Sequence, residues 1–360
     1  MPAVVPARLR LARELRGWSQ AHLASRAGMT PAALSQFESG TSRAAQATLE
    51  RLSNELGVPS AFFDLAIEEV PEGFFRSTRR TPVVDRRRAR AVAQIAHDVA
   101  TLGEDEVNSA QTSVPKYLLG SPQTVQMDIE RAASLVREEW GTPPGPIANV
   151  VDLLEANGVV VIRMPLDSAD IDAFSLAFTD RPVIVLASDK ADKARSRFDV
   201  SHELGHLVLH GADIWGTSEV EKQAHHFASA FLMPRDQIYE ELPDRVDWPK
   251  LFDLKRLWQV SLAALLMRAR TLDRISEAAY LTAVKTASAR GWRRVEPVPL
   301  GLPEQPHVLA RVLGSNFRPM LDRVLPKWVL DSLMFSTSIA QVPRSGVRRF
   351  DQGVFAFDDF

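Results

Sequence analysis

Two histidines four residues apart, with a glutamate beside the first, form the strongest chemical pattern in the sequence: His202-Glu203-Leu204-Gly205-His206. On a helix, residues at that spacing share a face, so both imidazoles converge on a single ion. Zinc brings the pKa of a water it holds to about 7, and a carboxylate next to the first ligand can take that proton at neutral pH. With 8 His in 360 residues, chance supplies the pattern about 0.01 times per chain. The sequence has no cysteine, so thiolate ligands and disulfides are excluded and any metal must be held by His and carboxylates.

A catalytic zinc needs a third protein ligand and one open position. The segment Glu219 to Pro234 supplies candidates. Ala224, Phe227, Ala228, Phe231 and Leu232 form an apolar stripe that buries this helix, and Glu221 lies on the stripe side, where its charge is costly without a partner. Glu219 is two residues off that face. His225 is on the buried side, one turn from Glu221, and His226 reads as a plain surface histidine. His210 follows His206 by one turn, about 6 Å further along the axis, which suits an outer-shell partner of a ligand or a helix-end cap better than a third ligand.

The elements that must position these groups emerge from periodicity. Residues 7–64 read as short helices: Ser19 caps one from Gln20 to Arg26, Gly28 makes the turn, and Thr30 with Pro31 starts another that stops at Gly40. A further helix covers about 46–56. Residues 65–92 look irregular and basic, with helices following at about 88–102, 124–140 and 147–157. The period then changes to short β-rich runs at Val159–Ile162, Phe174–Phe178 and Pro182–Leu186. Helices return at about 191–210 and 219–232, and 248–290 looks helical throughout. Within it, 251–272 has helix-turn-helix spacing, but Leu254, Leu257, Trp258, Leu262, Leu265 and Leu266 read more simply as core. Pro297, Pro299, Pro303 and Pro306 mark a linker before a small helical C-terminal segment. The fold class expected is mostly α with a small β-sheet (α+β).

Charge is unevenly spread. The net charge is −2, yet residues 1–60 carry seven Arg against four Glu, a balance of +3 that leaves −5 for the rest. A second Arg cluster spans 71–91. A basic N-terminal quarter is what a nucleic-acid surface requires. No signal-peptide core and no apolar run of about 18 residues is present, so the expected location is cytoplasmic, with no membrane partner.

Arg197-Phe198-Asp199-Val200-Ser201-His202-Glu203-Leu204-Gly205-His206-Leu207-Val208-Leu209-His210, followed by Glu221-Lys222-Gln223-Ala224-His225-His226-Phe227-Ala228 and on to Met233-Pro234, resembles the ImmA/IrrE metallopeptidases. Weaker similarity extends over about 70–275, including Phe74-Phe75-Arg76-Ser77 and Lys255 to Arg268. The resemblance implies a gluzincin-like zinc-peptidase fold with His202, His206 and Glu221 as metal ligands and Glu203 as general base. Members of that family typically place a second acid and then Asn or Asp near the third ligand; this chain has Gln223 and His225 there. His210 and His225 are assigned to the shell around the metal ligands.

Residues 8–64 resemble the phage-repressor (Cro-like, XRE-family) helix-turn-helix, above all in Trp18-Ser19-Gln20-Ala21-His22-Leu23-Ala24 and Leu34-Ser35-Gln36-Phe37-Glu38-Ser39-Gly40. In that geometry the second helix steadies the third, whose N-terminal residues reach base edges. Gln20 suits a phosphate contact at a helix N-terminus, Thr30, Ala32, Ser35 and Gln36 face the groove, and Arg43 supplies charge beside them. Pro31 and Ala32 carry no donors, so readout is weighted toward shape and thymine methyl contacts.

The expected organisation is 1–66 as a DNA-binding domain, 67–145 as basic linker and helices, 146–275 as a zinc metallopeptidase domain and 276–360 as a helical C-terminal region. The function that follows is a homodimeric regulator, bound to a double-stranded DNA operator, that cleaves a repressor or partner protein in a stress or prophage-type response. The alternative is a non-enzymatic transcription factor, or an antitoxin with a toxin-like partner, whose metal pocket is a sensor or structural site.

Overall fold

Short capped helices build the N-terminal end. α1 (Pro6–Leu15), α2 (Gln20–Arg26), α3 (Pro31–Glu38) and α4 (Gln46–Leu56) are followed by a 3-10 turn, Ser60–Asp64. The Ser19 hydroxyl accepts from the His22 amide at 3.1 Å and that of Thr30 from Ala33 at 3.2 Å, satisfying amides that a helix start leaves open. Gly28, at φ +62°, makes the tight turn between α2 and α3. The structure, a computed structural model, describes residues 5–69, 82–107, 114–118, 126–166, 172–189, 192–210 and 217–336. Phe74-Phe75-Arg76-Ser77, and with them Arg79 and Arg80 of the Arg cluster, therefore lie outside the described residues.

α5 (Val83–Leu102) begins five residues before the sequence suggests, because Arg86, Arg87, Arg88 and Arg90 belong to its first turns rather than to a loop. α6 (Glu104–Val107), α7 (Gln126–Glu139) and α8 (Val150–Ala156) lead to a three-stranded sheet of β1 (Val160–Met164), β2 (Ala173–Leu176) and β3 (Val183–Ala187). Its order is β1-β3-β2, with β1 parallel and β2 antiparallel to β3. All three strands are buried on both faces save at the end of β1, which is why they read as continuous apolar runs instead of alternating ones.

The sheet divides two apolar cores. Val160, Ile162, Phe174, Leu176, Val183 and Val185 join the N-terminal helices, α5 and the C-terminal helices. Val161, Ala173, Ile184 and Leu186 pack instead with α7, α8, and the helices α9 (Lys193–Leu209) and α10 (Ser218–Leu232). α11 (Arg235–Ile238), α12 (Trp248–Trp258), α13 (Leu262–Thr271) and α14 (Glu277–Ala289) follow. The stretch 248–290 is thus not one helix. Gln259 (φ +56°) and Asp273 (φ +58°) take left-handed conformations, and Ser261 and Ser276 cap the helices that restart. Leu257, expected in the core, is 52% exposed, while its neighbours Leu254 and Trp258 are buried.

α15 (Val308–Gly314), α16 (Arg318–Val324) and α17 (Lys327–Ser336) pack into the same core as the N-terminal helices. The Pro-rich stretch before them is no loose linker. Glu304 is buried, pairs with Arg197 of α9, and accepts from the Val150 amide at the start of α8 at 2.9 Å. Another buried pair, Arg8 with Asp98, ties α1 to α5. The helix-turn-helix therefore shares its core with the rest of the chain and is not an isolated bead.

Candidate metal centre and nucleic-acid face

α9 carries the paired histidines and α10 carries Glu221, and the approach of these helices is set by a single glycine. A Cβ on Gly205 would lie 3.1 Å from Phe227 Cδ1 and 3.2 Å from the Ala224 carbonyl oxygen. Glycine in mid-helix costs about 1 kcal/mol relative to alanine, and here close packing against α10 explains its presence. Each helix starts on a cap: Asp192 accepts from the Arg195 amide at 2.7 Å, and Thr217 from Val220 at 3.3 Å.

Two imidazole nitrogens and the Glu221 carboxylate converge across that contact. His202 Nε2 and His206 Nε2 are 3.0 Å apart. Glu221 places Oε2 3.3 Å from His202 Nε2 and Oε1 3.6 Å from His206 Nε2. A tetrahedral zinc with bonds of 2.0–2.1 Å needs donor–donor edges of about 3.3 Å, so the three residues fit that ion closely. His202 and His206 are 4% and 1% exposed. Burial first, then repulsion from His202, hold His206 well below the usual histidine range, so its ring is neutral and able to bind metal.

The proton positions around His206 can be followed outward. His206 Nδ1 is 3.1 Å from His210 Nδ1, and His210 Nε2 is 3.0 Å from Gln223 Oε1. An amide oxygen only accepts, so His210 Nε2–H donates to it. Burial lowers the pKa of His210 as well, which leaves its Nδ1 as an acceptor for His206 Nδ1–H. The lone pair of His206 then sits on Nε2, facing His202 and Glu221. Outer partners of this kind orient ligating imidazoles. His210 thus lies behind His206, and Gln223, which stands where the related pattern has an acid, is the group that fixes the tautomer.

Glu203, 2% exposed, accepts a hydrogen bond from the Ser175 hydroxyl at 2.7 Å. Ser175 is on β2 and paired in register with Ile184, so the sheet itself holds the carboxylate. Sequence reasoning passes over Ser175, whose one signal is a lone hydroxyl inside an apolar strand, which requires a partner when buried. His225, on α10, brings a ligand atom within 4.8 Å of those of His202 and Glu221. His226 is not a plain surface histidine: its Nε2 lies 3.0 Å from Glu130 Oε1, and Glu130 also takes two bonds from the fully buried Arg268. The apolar stripe of α10 places His226 outward, but α7 brings Glu130 over it.

On α3 the structure exposes Ala32, Ser35 and Gln36, with Thr30 at its cap and Arg43 beyond its end, all exposed. Gln20 is engaged differently from the expectation. Its amide donates to Glu38 at 2.8 Å, on a carboxylate that Arg13 also grips at 2.6 and 2.9 Å. The side chain therefore braces α2 against α3, and what α2 offers a phosphate is its backbone N-terminus. The Thr30 hydroxyl is likewise committed to its cap.

Comparison with known families finds matches for two parts of the chain. Residues 9–63 match the family model of a helix-turn-helix, and residues 154–270 match that of the M78 peptidases, described as an IrrE N-terminal-like domain. Among curated proteins none matches the chain. No helix of the described residues is long and apolar enough to cross a membrane.

Proposed function

We propose that this chain is a DNA-binding transcriptional regulator that holds one zinc ion on His202, His206 and Glu221 and hydrolyses a peptide bond in a repressor or partner protein. The helix-turn-helix and peptidase-family matches support the outline, a regulator with a peptidase-type domain. The observation that carries the finer reading is the convergence of His202 Nε2, His206 Nε2 and the two Glu221 oxygens, with separations of 3.0, 3.3 and 3.6 Å, while the buried carboxylate of Glu203, next to His202 in sequence, is not part of the set. A purely structural zinc site has no use for such a carboxylate.

When bound, zinc supplies Lewis acidity toward an attacking water and a peptide carbonyl. Glu203 takes the proton from the attacking water at one carboxylate oxygen and returns it to the departing amine, while Ser175 fixes the other oxygen. His210 and Gln223 hold the His206 ring so that Nε2 presents its lone pair. Glu221, reaching from a second helix, makes the site depend on the α9–α10 contact. At the other end, Ala32, Ser35 and Gln36 enter the major groove and Arg43 contacts phosphate, in a homodimer whose half-sites lie about one helical turn, roughly 34 Å, apart.

Metal analysis tests the centre. The purified chain should hold about one zinc, and His202→Ala should lose it on dialysis. Full stoichiometry in that variant would end the zinc assignment.

A further inference from the structure

Two sets of possible metal donors overlap in this centre. His202, His206 and Glu221 form one, and the ligand atoms of His202, Glu221 and His225 form another, all within 4.8 Å of one another. We propose that His225 is a fourth protein ligand that closes the metal centre in the resting protein and yields its place to substrate. The proposal rests on the zinc reading given above and concerns the regulation of that same site.

The ring of His225 is set up as a ligand. Its Nδ1 lies 3.0 Å from the backbone oxygen of Glu221, one turn earlier on α10. A carbonyl oxygen only accepts, so Nδ1 carries the proton and the lone pair of the neutral ring is on Nε2. Ligating imidazoles are supported in the same way, by donating the other ring N–H to a carbonyl or carboxylate. The ring is 7% exposed and held in place, its centroid 4.4 Å from that of His202 at an 82° interplanar angle and 5.6 Å from that of Phe198. Both donor sets contain His202 and Glu221, so an ion on that shared pair has His206 and His225 as its two further candidate ligands.

His225 also faces outward. It forms part of the wall of a cavity of about 710 Å³, together with Phe198, Lys222 and Trp292, whereas His202, His206 and Glu221 do not line it. That volume is within the usual range for a ligand site. Of the four residues only His225 lines the cavity, so it is the one that a chain bound there touches. Four protein ligands make a closed, structural type of zinc site; three with an open position make a catalytic one. A His225 that swings away converts the first into the second, at the moment when a peptide is present to be cut.

X-ray absorption at the zinc edge of the full-length protein counts the imidazoles directly. The proposal predicts three in the wild type and two in His225→Asn, with zinc retained in both. It further predicts that the variant hydrolyses casein about tenfold faster than the wild type, having no fourth ligand to displace. Two imidazoles in the wild type would overturn the role of His225 and leave the three-ligand site standing. Absence of zinc from the wild type would overturn the site itself and the proposal with it. Should His225→Asn fail to fold, as judged by circular dichroism, the wild-type count alone decides between three and two.

Discussion

Gly205→Ala tests whether the α9–α10 contact sets the metal geometry. Alanine should stabilise an isolated helix by about 1 kcal/mol relative to glycine. In this protein the added Cβ meets Phe227 Cδ1 at 3.1 Å and both the Ala224 oxygen and Phe227 Cβ at 3.2 Å. A backbone oxygen and a Cβ cannot rotate out of the way, so α10 must retreat by a few tenths of an ångström, and overpacking of this kind typically costs about 1–3 kcal/mol. The expected net effect is a loss of up to about 2 kcal/mol. The metal site should respond more sharply. The His206–Glu221 separation of 3.6 Å already exceeds the edge of about 3.3 Å that tetrahedral zinc prefers, and retreat of α10 lengthens it. Zinc affinity, measured by competition with a chromophoric chelator, should fall on the order of ten- to a hundredfold. A variant that binds zinc as tightly as the wild type and unfolds at higher urea would refute this role of Gly205.

Two further outcomes follow from the same structure. Burial alone would raise the pKa of Glu130, but Arg268 and then His226 hold it at about 2, below its ordinary value of 4.5. A depressed acid contributes stability that is present above pH 4.5 and lost as pH falls toward 2, here on the order of 3 kcal/mol. The difference in urea stability between wild type and Glu130→Gln should therefore shrink between pH 6 and pH 3, and a constant difference would contradict it. On DNA, affinity of the full chain for operator-length duplex should drop steeply with salt. Arg43→Ala should weaken all sequences alike, whereas Gln36→Ala should change which sequence is preferred; the reverse pattern in a binding-site selection would overturn the placement of α3.

Much of this molecule is legible in its amino-acid sequence. The capped helices of the N-terminal end can be read there because Ser19, Thr30, Pro31 and Gly28 each act locally, and the ends of α2 and α3 follow from them. The apolar strands and the amphipathic α10 are legible for the same reason. What escapes a sequence reading is set by contacts distant along the chain. Glu304 reads as part of a Pro-rich spacer, yet it is buried against Arg197, 107 residues away. Ser175 looks like one more strand residue until α9 lays Glu203 over it. Gln20 has the position of a phosphate contact, but Arg13 and Glu38 form a buried pair that captures its amide. Within 248–290 the helix-turn-helix spacing of 251–272 already allows a turn at Val260-Ser261, but the break at Asp273 is hidden, since that residue is neither a glycine nor a proline that would mark a left-handed turn.

Glu203→Gln asks most directly whether the metal centre is catalytic and whether its chemistry drives regulation. Glutamine keeps the size of the side chain and an oxygen to accept from Ser175, but it cannot take a proton. Base catalysis typically contributes 10²- to 10⁴-fold, so cleavage of the partner protein should fall by about that factor. Zinc should stay bound because Glu203 is outside the donor triangle, and DNA binding should persist because α9 packs in the core on the opposite side of the sheet from the helix-turn-helix. The measurement is reporter derepression under inducing conditions, with zinc content confirmed. A peptidase-regulator carrying this change should occupy its operator and no longer respond. Normal induction by zinc-loaded Glu203→Gln would contradict a catalytic role and assign the centre to sensing or structure instead.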